Sequence, residues 1–420
     1  MIVQTELFPG ITLRCCRDPR FKQSCLSVQF LRPMCREEAA LNAMLPAVLL
    51  RGSRLHPDLR SITHYLDTLY GSAVAAQVRR VGDYQTTGLY AAFMDDRFAL
   101  PGDRVMEPMI DFIRELLLDP LLVDGAFSPE FVDSEKKNLI SAIESARNDK
   151  QVYATSQMLK LMCRKDSFGL PRLGEIPQVR QVTPESLRDH WKKILKVSPI
   201  NLFYVGSAEP ETVAALLKPV FAGMERQVEI LPPQTAYQVS EKQDQVETLN
   251  VTQGKLCMGF TTGITNRDPR FAAMQVLNTI LGGGMSCKLF NQVREKLSLC
   301  YSISSGYYST KGILTVAAGI DFDKEEQTKK EILRQLEACR RGEITAMEME
   351  AAKQPLYSSL RASQDSPGAI ESYYSTAALS GLTMEPETYR QAVEAVTLQQ
   401  VVEAANTIDL HTTYFLKGES

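Results

Sequence analysis

The stretch "CLSVQFLRPMCREEAALNAMLPAVLLRGS" runs from Cys25 to Ser53, and "LCMGFTTGITNRDPRFAAMQVLNTILGGGMS" runs from Leu256 to Ser286. Each passes from an alternating apolar strand through a loop into an apolar helix, and each ends at glycine followed by small residues. The same 230-residue offset separates Phe30 from Phe260 and Gly52 from Gly282. Two landmarks at one offset identify an internal duplication.

The parallel extends in both directions. "SITHYLDTLYGSAVAAQV" (61–78) and "MSCKLFNQVREKLSLCYSISS" (285–305) both read as a helix leading into a strand. "LYAAFMDD" (89–96) and "LTVAAGIDFD" (314–323) both read as strands ending in acidic turns. "VTPESLRDHWKKIL" has Thr183 as N-cap with Pro184 at the first helical position, and it leads to the strand "NLFYVG". "VTLQQVVEAANTI" places Thr397 and Gln400 in capping-box spacing before "TTYFLKG". Long helical stretches separate these ends, at 129–150 and at 346–366, the latter with Pro355 as a point of kinking. Strands gathered around blocks of helices predict an α+β protein, each half a largely antiparallel sheet covered on one face by helices. The polar segment 226–250, with Pro232-Pro233 and no sustained period, reads as a linker between halves at 1–225 and 251–420.

Composition narrows the function classes. The 420 residues are 44% apolar and 23% charged with a formal net charge of -3, and the basic residues are scattered. That balance gives no pull toward nucleic acid or an anionic membrane. "MIVQTELFPG" lacks the pattern of a secretory signal, and "LNAMLPAVLL" (41–50) is too short to span a bilayer. These features predict a cytoplasmic protein. Nine cysteines without C-x-x-C spacing predict reduced thiols, with Cys25, Cys257 and Cys300 as small core residues.

Gly282-Gly283-Gly284 could cradle phosphate, but no Lys-Ser/Thr follows and no G-x-G-x-x-G is present. The glycines more simply permit a tight turn between packed helices. No G-x-S-x-G elbow supports a serine nucleophile.

Two α+β halves joined by a linker, with "LGGGMSCKLFNQVREKLSLCYS" (281–302) in the second, resemble the inverzincin peptidases. This is the pitrilysin and insulin-degrading-enzyme family, which includes mitochondrial processing peptidase. The likeness covers nearly the whole chain and is greatest for the short bacterial members, which work as dimers of such chains. It is weaker at 166–179 and 344–360. The family binds zinc through H-x-x-E-H, two histidines one helical turn apart with a glutamate that activates the metal-bound water. Counting back from Gly52-Ser53, Ala43, Pro46 and Ala47 stand in the His, Glu and His slots, so the resemblance implies no metal in this chain. His56, His64, His190 and His411 have no ligand spacing, and Glu135 resembles the third zinc ligand only in local context.

The second half keeps the family's arginine and the tyrosine seven residues later, here Arg294 and Tyr301. In relatives these groups hold substrate, and Gly282, Gly283 and Gly284 border the peptide chamber. A guanidinium and a phenol are suitable hydrogen-bond donors to a scissile carbonyl as it becomes an oxyanion. The resemblance therefore implies a catalytically incomplete, peptide-binding subunit. It would complement a homologous chain with intact H-x-x-E-H, in a heterodimer whose zinc the partner supplies. A homodimer, and a purely structural or peptide-binding pseudoenzyme, are the other arrangements left open.

Overall fold

A computed structural model describes residues 2–418. The first half contributes β1 (Ile2–Phe8), β2 (Ile11–Arg17), β3 (Gln23–Pro33), α1 (Arg36–Leu49) and α2 (Leu59–Thr68). It continues with β4 (Ala73–Val81), β5 (Tyr84–Met94), α3 (Met106–Leu118), the short pair β6 (Leu122–Val123) and β7 (Ala126–Phe127), and α4 (Pro129–Asn148). Next come α5 (Lys150–Met162), α6 (Ile176–Gln181), α7 (Pro184–Val197), β8 (Ile200–Gly206) and α8 (Pro210–Phe221). The second half has β9 (Gln243–Thr248), β10 (Gly254–Thr261), α9 (Phe271–Asn278), β11 (Cys300–Tyr308) and β12 (Ile313–Ile320). It ends with α10 (Glu325–Arg340), α11 (Ala346–Ala362), α12 (Pro367–Ser380), α13 (Pro386–Glu394), α14 (Leu398–Ala405) and β13 (Asp409–Lys417).

The duplication is visible in the sheets. The first has strand order β1-β2-β8-β3-β5-β4 and the second β11-β12-β10-β13-β9. Read from β4 and from β11, the first five strands of the six-stranded sheet match the five of the second, and β1 has no counterpart. In each, one pair is parallel, β2 with β8 inside the first sheet and β13 with β9 at the edge of the second, and the remaining pairs are antiparallel. Phe30 and Phe260 sit on the equivalent central strands β3 and β10, and both are buried. Thr397 closes its capping box with Gln400 as the spacing requires, and Thr183, expected as an N-cap, also closes a box, with Ser186. α11 runs as one helix through Pro355.

The segment read as linker carries β9, the counterpart of β2. Its sequence QDQVET is polar and lies at a sheet edge, so it lacks the apolar alternation that marks a half-buried strand. Nor do the compact units follow two contiguous halves. The first comprises the chain up to Glu144, Pro171–Pro233 and Gln364–Thr376, and the second comprises Ser145–Leu170, Gln234–Ser363 and the chain from Ala377.

Each unit thus uses a helix from the other half. In the first, Leu26, Val28 and Phe30 face the main core with Met44 and Ile110. The opposite face of β3 meets α12, where Cys25 packs with Ile370. There Glu371, fully buried, accepts from Ser27 Oγ at 2.8 Å, Gln29 Nε2 at 2.7 Å and Arg79 Nη2 at 2.7 Å. Alternation along a strand puts these sets on opposite faces, so both faces of β3 are covered. In the second unit α5 lays Ala154, Met158 and Met162 against Cys257 and Tyr414. Gly259 is needed there because a Cβ would lie 2.6 Å from Met158 Sδ and 2.8 Å from Met162 Sδ. Among the described residues no helix is long and apolar enough to cross a membrane.

Candidate functional site

α1 is the helix on which the family's metal motif would stand, and its composition sets it against the first sheet. Ala43 and Pro46 are buried. Pro46 lines a narrow apolar recess with Phe30, Leu49, Thr87 and Trp191. Proline removes the N–H that would bond the carbonyl of residue 42. The structure replaces that donor: Thr87 Oγ1 donates to Asn42 O at 2.6 Å. The Asn42 side chain is also committed, donating through Nδ2 to Gln85 Oε1 at 2.9 Å and pairing through Oδ1 with His190 Nε2 at 2.7 Å. Burial pushes the His190 imidazole down to about 4, against Glu38, which raises it; Arg32 and Lys193 add to the lowering. It is a neutral core histidine.

The other histidines are placed as far from ligand duty. His56 Nδ1 lies 3.0 Å from Glu115 Oε1, and its ring packs on Tyr65 and Phe112. His411 Nε2 meets Ser240 O at 3.0 Å and Nδ1 meets Thr412 Oγ1 at 2.7 Å. His64 is exposed on α2. Glu135, on α4, forms an ion pair with Arg51 at 2.9 Å, and Arg51 also donates to Ser134. Among the described residues no three His, Cys, Asp or Glu side chains are grouped to hold a metal. Methyl groups and a proline ring at 43, 46 and 47, with a glutamate bound to a guanidinium, do not fit a zinc ion.

The second half does bring its two candidate residues together. α9 continues as a π-helix, Thr279–Gly283, and a second π-helical stretch, Phe290–Lys296, carries Arg294. The wider winding replaces the α-helix expected over this segment; such turns concentrate at functional sites. Two residues beyond it Ser298 is held at φ 50, and its N–H donates to Arg294 O at 3.1 Å while Leu299 N–H donates to Val293 O at 2.9 Å. This left-handed residue turns the chain so that β11 begins at Cys300, directly beside the arginine.

The result is an open cleft of about 440 Å³ lined by Arg294, Glu295, Ser298, Leu299, Cys300, Tyr301 and Lys324. Arg294 stacks over the Phe290 ring, 4.7 Å from its centroid, and lies 3.6 Å from Glu295. Stacking on a neighbouring ring holds the guanidinium plane while leaving its edge free for a planar acceptor. Tyr301 is 60% exposed, and its hydroxyl donates to Asp321 Oδ1 at 2.8 Å. Asp321 in turn pairs with Lys324 at 2.8 Å, and Lys324 Nζ also donates to Ser298 O at 3.2 Å. The bond to Asp321 raises the phenol above its ordinary range, while Lys324 and then Tyr301 hold the Asp321 carboxyl low. Burial pushes the Cys300 thiol up to about 11, against Arg294 and Lys324, so it stays protonated and is no nucleophile.

Within the glycine run, Gly282 has a packing role. Gly282 is buried where the helix crosses β11, and a Cβ would lie 2.8 Å from Ser305 N and 2.9 Å from Leu289 Cδ1. Gly283 is exposed and Gly284 partly so. Asp321 and Lys324 were not legible as cleft residues. The acidic turn of "GIDFD" was visible, but only the β11–β12 pairing, with Cys300 opposite Ile320, carries it beside Tyr301.

Comparison with known proteins agrees with this picture. A family model described as "Peptidase M16 inactive domain" matches residues 181–356. A Bacillus subtilis protein described as "Probable inactive metalloprotease YmfF" is 29% identical over 97% of this chain and 96% of its own length. Another from the same organism, "Uncharacterized zinc protease YmxG", is 23% identical over 74% of this chain and 76% of its own. The crystal structure of a conserved protein from Enterococcus faecalis V583 superposes with a TM-score of 0.91 at 27% identity, covering 100% of this chain and 99% of that one. A peptidase M16 inactive domain from Pseudomonas fluorescens shares the fold at a TM-score of 0.81 and 16% identity, over 100% of this chain and 98% of that one. With its duplicated α+β halves and without H-x-x-E-H, this chain is similar over nearly its whole length to a relative described as an inactive metalloprotease, and over 181–356 to the peptidase M16 inactive domain.

Proposed function

We propose that this chain is the substrate-holding member of a two-chain peptidase, with the metal-bearing H-x-x-E-H supplied by a homologous partner. The observation that carries the reading is the contrast between the two ends of the duplication. Arg294 and Tyr301 line one open cleft, whereas Ala43 and Pro46 are buried in the core. A chain serving only as a scaffold would gain nothing from an exposed guanidinium and phenol in one cleft. The cleft also stands at the start of β11, a terminal strand of its sheet. An extended peptide can add to such an edge through main-chain hydrogen bonds, with side groups at its end for orientation. The similarity to relatives described both as inactive metalloprotease and as zinc protease fits a family in which the two roles sit on separate chains.

The test is co-purification with an M16 chain that retains H-x-x-E-H, followed by peptide cleavage assays on each chain and on the pair. The pair is expected to be active and chelator-sensitive, and this chain alone inactive. Within the pair, Arg294→Ala should lower kcat/KM by about 10²-fold or more, the scale of a lost transition-state donor. Wild-type rates from that variant would favour the scaffold reading.

A further inference from the structure

We infer that Asp321 is a positioning residue that makes Tyr301 a hydrogen-bond acceptor toward the cleft, so that Arg294 and Tyr301 together recognise the C=O and N–H that one residue of an extended peptide presents on one edge. The inference rests on the peptide-holding reading above and specifies its chemistry. A phenol has one proton to donate and lone pairs to accept with. Here the proton points to Asp321 Oδ1, 2.8 Å away. Asp321 is ionised, because Lys324 neutralises it at 2.8 Å and is itself fixed by Ser298 O. A carboxylate is the stronger acceptor, so a neutral ligand carbonyl does not draw the phenol proton away from it.

What the cleft offers is therefore a mixed pair. Arg294 carries only donors, and its link to Glu295, at 3.6 Å, is too long to occupy them. Tyr301 presents its oxygen. A residue in an extended peptide carries the complementary pair on one edge, its C=O for the guanidinium and its N–H for the phenol oxygen. A free carboxylate or an ester fits less well, because neither has an N–H for Tyr301. This departs from the expectation that both residues donate to one oxyanion.

Two measurements on the purified chain and its M16 pair test the inference. The first needs no ligand. With tyrosine labelled at Cζ, the Tyr301 resonance, assigned by its loss in Tyr301→Phe, is followed through alkaline titration. Asp321→Ala should move its titration downward, because the acceptor favouring the protonated phenol has gone. A Tyr301 that titrates identically in both proteins overturns the positioning role. The second compares a bound peptide with analogues in which single backbone N–H groups are replaced by ester oxygen. One such replacement should weaken binding about 3- to 10-fold in wild type, the scale of one hydrogen bond. Tyr301→Phe should bind peptide and ester alike. Peptide binding with no ester penalty at any position overturns the acceptor assignment while leaving the peptide-holding reading intact. Absence of peptide binding in both chain and pair overturns both.

Discussion

Thr87→Val is the most informative single change in the first half, because it tests whether Pro46 is built into the fold or merely tolerated. Proline in a helix interior costs about 3 kcal/mol, part of it from the orphaned carbonyl four residues earlier. The Asn42 carbonyl is satisfied instead by Thr87 Oγ1 at 2.6 Å, and Thr87 is only 1% exposed. Valine keeps the shape and removes the donor, leaving a buried carbonyl unpaired at a cost of about 1–3 kcal/mol. In a Pro46→Ala background the helix regains its own N–H, which points at the same carbonyl. There Thr87→Val should cost less than about 1 kcal/mol, a coupling of about 1–2 kcal/mol in a double-mutant cycle. The assay is urea unfolding followed by fluorescence of Trp191, the chain's one tryptophan, which lines the same recess as Pro46. With an m-value of about 2–3 kcal/mol/M, the wild-type background should show a midpoint drop of about 0.5–1 M and the Pro46→Ala background much less. Equal drops in both backgrounds would refute the exchange of donors.

Acid should destabilise the first unit in two successive windows that overlap between about 4.5 and 4. His190, held neutral with its titration lowered to about 4, contributes fully above about 6.5, and that contribution is lost as pH falls from there through about 4, at roughly 1.4 kcal/mol per unit of pKa difference. Glu38 is pulled down to about 2 because Arg32 and Lys193 outweigh its burial, so its share is lost only below about 4.5. Urea midpoints at pH 7, 5.5 and 4.5 should therefore fall in wild type and stay flatter in His190→Gln. Glu371→Ala leaves the Arg79 guanidinium without its buried carboxylate and should cost about 3–5 kcal/mol, whereas an effect under 1 kcal/mol in the same unfolding assay would contradict its role in seating α12. Gly282→Ala should cost about 1–3 kcal/mol in thermal unfolding through collision with Ser305 and Leu289, while Gly284→Ala, with 3.3 Å to Thr279 Cγ2, should cost less.

The sequence alone determined the duplication, the α+β class, the empty metal slots on α1 and the kept Arg294–Tyr301 spacing. All of these are local: strand and helix periods, caps and motif spacings are written in windows of a turn or two. What it could not show depends on partners far along the chain. β9 was hidden because a polar edge strand has no apolar face to betray it, and its pairing with β13 joins residues about 170 positions apart. The placing of α5 and α12 in each other's units was hidden because an apolar helical face does not say which sheet will cover it. The same holds at the cleft. Whether Tyr301 donates or accepts is set by Asp321 and Lys324, which reach it only through the antiparallel pairing of β11 with β12. The direction of a hydrogen bond is a property of the assembled pair, and only folding brings that pair together.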